Sequence, residues 1–114
     1  MIRFLIFFQI FSITNSVIPQ EFIIGFFQVS KQNIPIAAKI GAQIIHHYHF
    51  EGWKDGKYKT GNNKEAIEYL DLAQEHNLKV MMGFDRYSMI KNDIKHIEDR
   101  VDSLKNHPAL VYWY

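Results

Sequence analysis

Short apolar runs alternate along the chain with longer stretches in which apolar residues recur at helical spacing. Four of the runs are apolar at consecutive positions, so both faces of a strand would be apolar, as in parallel sheets that are covered on both sides. They predict strands at residues 22–27, 43–48, 79–83 and 109–113.

Three amphipathic stretches between these runs predict helices. The first, at residues 33–40, has Pro35 in its opening turn, where the missing N–H is harmless. The second begins with Asn62 as N-cap, and the third ends before Pro108. The third helix would present a single apolar stripe, which consists of Ile90, Ile94, Ile97, Val101 and Leu104.

The repeated strand-helix-strand order predicts an α/β fold with a parallel sheet and right-handed crossovers. A stretch rich in glycine and polar residues, 51–63, follows the second predicted strand and is expected to be an irregular loop. Loops that follow strands lie at the carboxyl edge of a parallel sheet, where ligands bind in such folds.

Composition narrows the function classes. The 114 residues are 47% apolar and 22% charged, which is ordinary for one small globular domain. The formal net charge is +1 with acids and bases interspersed, so no nucleic-acid partner is expected. The absence of cysteine excludes disulfides and cysteine-based zinc sites.

The first sixteen residues have the pattern of a secretory signal peptide. Arg3 gives a positive start, residues 4–13 are mostly apolar, and small residues precede a possible cleavage after Ser16. The apolar run is shorter than the roughly 20 residues that span a bilayer. We therefore expect a secreted protein with its domain at residues 17–114 and no stable membrane insertion after cleavage. A buried first strand or an uncleaved anchor is the alternative.

Three segments carry a family resemblance. The stretches "EFIIGFFQVSKQNIPIAAKIGAQII", "EAIEYLDLAQEHNLKVMMGF" and "RVDSLKNHPALVYWY" resemble the opening half of secreted (β/α)8-barrel glycoside hydrolases, over residues 22–114. The resemblance implies a partial (β/α)8 TIM barrel with about four parallel strands and three intervening helices. It also implies an oligo- or polysaccharide substrate and no cofactor.

The resemblance has a consequence for catalysis. In that family the acid/base carboxylate follows strand four and the nucleophile ends strand seven, and retaining hydrolysis needs the two carboxyl groups about 5 Å apart. Neither position can be assigned in this sequence, so we expect a chain truncated after strand four, without catalytic residues and inactive alone. Four strands cannot close a barrel, and the unpaired edges predict self-association.

The stretch "IIHHYHF" is the richest in chemistry. On a strand His47 and His49 would share one face, which suits contact with a substrate at the mouth of strand two. Two imidazoles could also begin a metal site of the barrel amidohydrolase kind, but two ligands do not make a site. A purely structural role is the remaining alternative, and no metal is predicted.

Other substrate-binding candidates lie at the same predicted edge. Asp85 and Arg86 follow the third strand and could exchange hydrogen bonds with sugar hydroxyls, although Asp85 could instead cap the next helix. Trp53 in the long loop could stack on a sugar ring, and Tyr114 at the end of the fourth strand could lie at the substrate cleft, while packing at the rim or core of the fold is the alternative for both. Two alternatives to a hydrolase fragment remain, a small non-catalytic α/β module that binds carbohydrate or another partner, and a fragment of a metal-dependent barrel hydrolase.

Overall fold

The protein is an α/β protein with one four-stranded parallel sheet. The computed structural model describes residues 23–48, 53–54, 56–58 and 62–114, and the predicted signal peptide lies outside them. The strands are β1 (Gly25–Phe26), β2 (Ile44–Ile45), β3 (Trp53–Lys54), β4 (Lys57–Tyr58), β5 (Lys79–Met82) and β6 (Leu110–Trp113). The helices are α1 (Ile34–Lys39), preceded by a 3-10 turn at Lys31–Asn33, α2 (Asn63–Glu75), α3 (Arg86–Ile90) and α4 (Ile94–Leu104).

Strands of the main sheet are ordered β1-β2-β5-β6, and each pairs in parallel with its neighbours. Ile45 lies opposite Val80, and Val80 lies opposite Leu110. A shift in register follows Val80, so that Met81 pairs with Tyr112. The predicted α/β fold with four parallel strands and intervening helices is confirmed at this level.

The start of α2 is built as its sequence predicts. Oδ1 of Asn62 accepts hydrogen bonds from the backbone N–H groups of Lys64, at 2.9 Å, and Glu65, at 3.4 Å. These N–H groups have no partner inside the helix, so the cap satisfies them and fixes where α2 begins. β2 is the last strand of the main sheet before α2, with only β3 and β4 between them, so this N-terminus lies towards the carboxyl edge of the sheet.

The predicted third helix is instead two helices. Asp93 interrupts it, because its Oδ1 accepts the N–H of His96 at 3.1 Å and so caps the start of α4. The preceding Asn92 adopts a left-handed conformation with φ of 55°, which ends the turn after α3. The apolar spacing runs through both helices, so it could not reveal the break between them.

The stretch predicted as an irregular loop contains a short hairpin. β3 and β4 pair antiparallel, with Trp53 opposite Tyr58 and Lys54 opposite Lys57. Gly56 in the connection has φ of 73°, which a two-residue hairpin turn requires and glycine adopts without strain. The polar composition of this stretch favoured a loop, whereas the position of the glycine is typical of a turn between strands.

Helices α1, α2 and α4 pack on one face of the sheet. The buried cluster joins Ile45, Val80 and Met82 of the strands to residues of α1, α2 and α4, including Ile34, Ala66, Leu70, Ala73 and Leu104. We call this side of the sheet the helix face. In the described part of the chain, no helix is long and apolar enough to traverse a bilayer.

Both outer strands of the sheet leave apolar side chains exposed. Ile23 and Phe27 beside β1 are each 64% exposed, and Tyr112 of β6 is 56% exposed. β1 and β6 also have no strand partner on their outer sides within the described residues. Unpaired parallel edges with apolar side chains are surfaces on which a second chain can pair.

We therefore predict that the purified chain self-associates. Size-exclusion chromatography with light scattering should show a mass that rises above 13.5 kDa with concentration. The substitution Val111→Lys, which adds a charge to the outer strand β6, should shift the population towards monomer, whereas Ile36→Lys on α1 should not. A monomer at every concentration would contradict the prediction.

Candidate functional site

Side chains that are adjacent in the sequence after β2 lie on opposite faces of the sheet. Because successive strand residues alternate between faces, Ile45 and His47 belong to the helix face. Ile44 and His46 belong to the opposite side, which we call the open face. Met81, Tyr112 and Tyr114 share the open face, since Met82 and Trp113 turn towards the helices and the core.

His46 is buried at the carboxyl edge of the open face, with 1% exposure. Its backbone N–H donates to the carbonyl of Phe26 at 3.0 Å, and its carbonyl accepts the N–H of Val29 at 2.9 Å. Its ring makes T-shaped contacts with two aromatic rings, Phe27 at 5.4 Å and Tyr48 at 4.4 Å between centroids. The backbone and the neighbouring rings thus fix the imidazole in place.

Tyr114 contacts His46 from the other side of β5. Its N–H donates to the carbonyl of Met82, and its carbonyl accepts the N–H of Phe84, both at 3.2 Å. These bonds place Tyr114 opposite Gly83. The hydroxyl of Tyr114 hydrogen-bonds Nε2 of His46, and the ring centroids are 5.2 Å apart.

The cluster of His46, Phe27, Tyr48 and Tyr114 combines a fixed polar centre with accessible aromatic rings. Phe27 and Tyr114 are at least half exposed, and Tyr48 is 39% exposed. Flat apolar ring faces that reach solvent beside hydrogen-bonding groups suit a ligand that is itself part apolar and part polar. We call this group of four the aromatic cluster.

His47, a predicted substrate-binding residue, lies apart from the aromatic cluster. It is half-buried on the helix face, with its ring centroid 6.2 Å from that of Tyr69 on α2. The hydroxyl of Tyr69 donates to the carbonyl of Val29 at 2.8 Å, and burial raises the pKa of this phenol so that it stays protonated. His47 and Tyr69 line a pocket of about 400 Å³ between the loop after β1 and the start of α2.

Asp85, another predicted binding residue, is fully buried. Its Oδ1 accepts the N–H of Ser88 at 3.0 Å, and its Oδ2 lies 3.1 Å from Nε2 of His96 on α4. The alternative that Asp85 caps the following helix is confirmed, and a contact of this carboxylate with substrate stays a prediction. Arg86, the next residue, is exposed at the first position of α3.

Two further candidates are described in part or not at all. The backbone of Trp53 lies in β3, while its side chain and the whole of His49 lie outside the described residues. The pairing of His47 with His49 at a metal therefore stays untested. Among the residues that the structure describes, no three histidine, aspartate or glutamate side chains are grouped to hold a metal ion.

Sequence reasoning missed His46 as the centre of the site. The motif "IIHHYHF" offers histidines on both strand faces, and its apolar residues do not reveal which face the helices cover. Once Ile45 is known to be buried, the face of each histidine follows, because residues two apart in a strand share a face. His47 then lies on the face of Ile45, and His46 lies on the opposite face. It also missed Arg100, a fully buried arginine on the stripe side of α4.

The fold and this site define the class of protein as a small α/β protein with a parallel sheet and an aromatic cluster at its carboxyl edge. Comparisons with models of protein families, with curated proteins and with solved structures found no match for the chain.

Proposed function

We propose that residues 22–114 form the first four strands of a secreted (β/α)8-barrel glycoside hydrolase and contribute sugar-binding side chains to its cleft. In this proposal the open face is the barrel interior, and residues 1–16 are the signal peptide that exports the protein. The acid/base and nucleophile carboxylates belong to later strands of such a barrel, so these residues bind carbohydrate without hydrolysing it.

The aromatic cluster is the observation that carries the proposal. Barrel enzymes hold their substrates at the carboxyl ends of the strands, and the cluster lies there, on the face of the sheet opposite to the described helices α1, α2 and α4. A sugar ring has a flat apolar side and a rim of hydroxyls. Tyr48 and Tyr114 offer ring faces, and the Tyr114 hydroxyl, which the buried imidazole of His46 holds in place, offers a hydrogen bond to a sugar hydroxyl.

The parallel strand order supports the barrel part of the proposal. β1, β2, β5 and β6 follow one another in chain order, each step adding a strand on the same side. A barrel of this kind is wound in the same sequence, with each helix returning over the outer face. The exposed apolar side chains of β1 and β6 are then the places where further barrel strands would pack.

We predict that the full chain binds oligosaccharides through Tyr114. Binding to an array of immobilised plant, bacterial and animal oligosaccharides would identify the sugar, and titration calorimetry would measure its affinity. Tyr114→Ala should weaken this affinity at least tenfold, because it removes a stacking ring and the hydrogen-bond partner of His46. The chain alone should release no nitrophenol from aryl glycosides.

Tyr112→Ala is the matched control, since Tyr112 lies in β6, two residues before Tyr114, on the same face and one row further from the carboxyl edge. It should leave sugar affinity within about twofold. Equal losses for the two variants, or no retained oligosaccharide, would contradict the proposal. A secreted chain that begins at Val17 would support the export part of it, and one that begins at Met1 would count against it.

A further inference from the structure

The two outer edges of the main sheet match each other in strand direction and in their lack of charge. β1 and β6 run parallel, and the order β1-β2-β5-β6 follows the chain. A β1 strand from a second copy, placed in parallel beside β6, would therefore continue the same order. Residues 22–29 and 109–114 contain no charged residue and no proline, which are the residues that commonly keep an edge strand unpaired.

Backbone groups on both edges are oriented towards a further parallel strand. The carbonyl of Phe26 accepts the N–H of His46 on the β2 side at 3.0 Å, so the N–H and carbonyl of the adjacent Gly25 point away from β2. The N–H and carbonyl of Tyr114 both bond to the β5 side at 3.2 Å, so those of Trp113 point away from β5. Each edge thus offers the donors and acceptors that a parallel neighbour needs.

Apolar side chains at both edges reach solvent, and two copies could cover them for each other. Ile23 and Phe27 at the β1 edge and Val111 and Tyr112 in β6 are at least 40% exposed. Two copies together supply eight parallel strands, the number that closes into a barrel with a filled interior. A two-fold axis along such a barrel keeps every strand parallel and makes the two contacts between the copies identical.

We propose that two copies of this chain form one closed barrel, in which β6 of each copy pairs in parallel with β1 of the other. The inference rests on the barrel part of the proposed function, with the second copy in the place of the further strands. It goes beyond self-association through open edges, because it fixes which edges meet and how many copies assemble. Both aromatic clusters then lie at the same end of the barrel, so each copy contributes rings to one cleft.

The mass of the assembled chain tests closure. Sedimentation equilibrium of the full chain without sugar should give a mass that rises with concentration and levels off at twice 13.5 kDa. A closed pair has no edge left for a third copy, whereas open-ended pairing would add copies without limit. Monomers at every concentration, or a series of species larger than the pair, would overturn the proposal.

Charge substitutions identify the edges that meet. Ile23→Glu at the β1 edge and Val111→Lys in β6 should each raise the dissociation constant of the pair by about tenfold or more, because each variant places an unpaired charge in both contacts. Ile36→Glu, a matched change of an exposed isoleucine on α1, should leave this constant within about twofold. Sensitivity to only one of the two edges would overturn the proposal, because it would indicate that like edges pair.

A mixture of the two edge variants tests the same contact in the opposite direction. In a mixed pair one contact is unchanged, and the other brings the introduced glutamate and lysine to the same seam, where opposite charges attract. Native mass spectrometry should therefore show the mixed pair in excess over both pairs of like chains. An absence of this excess, with both variants folded by circular dichroism, would count against the proposal.

Sugar binding separates this inference from the proposed function, because the pair is measured without sugar. A monomer that binds oligosaccharide through Tyr114 would overturn the closed pair and leave the sugar-binding role in place. A closed pair that binds no oligosaccharide would support the pair and contradict that role.

Discussion

Replacing Arg100 with alanine should lower the free energy of unfolding by about 3 kcal/mol, the range of large-to-small changes in a packed interior. Arg100 is fully buried on α4. Its Nη1 donates to Oδ1 of Asn63 at 3.2 Å, and its Nη2 lies 3.7 Å from Sδ of Met82. The side chain thus joins α4 to the first residue of α2 and the last residue of β5. Its removal leaves a cavity and takes a hydrogen bond from a partly buried amide.

Urea unfolding followed by far-ultraviolet circular dichroism would measure this loss. Arg100→Met fills most of the volume without the charge and should recover about half of the loss, since packing and hydrogen bonding both contribute. Lys95→Ala, an exposed change on the same helix, should lie within about 0.5 kcal/mol of the parent. A loss for Arg100→Ala as small as that of Lys95→Ala would show that the buried guanidinium contributes little to stability.

Features fixed by neighbours in sequence were predictable. The Asn62 cap and the parallel order of the strands follow from local capping chemistry and from the alternation of strands and helices. Capping depends on a few adjacent residues, so one sequence suffices to identify it. The helix break at Asp93 was equally local, but the continuous apolar stripe concealed it.

Features fixed by distant parts of the chain were not predictable. The pairing of His46 with Tyr114 joins residues 68 positions apart, and it depends on which face of β2 the helices cover. The burial of Arg100 likewise depends on Asn63, which is 37 residues away. An arginine next to an apolar stripe is expected to be exposed to solvent, because amphipathic spacing does not show which side of the stripe another element covers.

Substitutions of Asp85 can distinguish a structural role of its carboxylate from a contact with substrate, which its position after the third predicted strand suggests. Asp85→Ala should lower the free energy of unfolding by about 2 to 3 kcal/mol, because it removes the cap of α3 and leaves the ring of His96 without this carboxylate. Asp85→Asn retains an oxygen for the N–H of Ser88 and loses only the charge. It should therefore lose about 1 kcal/mol less.

Sugar binding provides the second measurement on these variants. If Asp85 acts only within the fold, Asp85→Asn should bind the oligosaccharide with parental affinity at a temperature where it is fully folded. Asp99→Ala, an exposed change on α4, serves as the control for both stability and binding. If Asp85→Asn keeps its stability and loses sugar affinity, the carboxylate contacts the ligand. Asp85 would then have to leave its buried position when sugar binds. Because both oxygens of Asp85 already contact groups within the fold, we expect stability to change and sugar affinity to be retained.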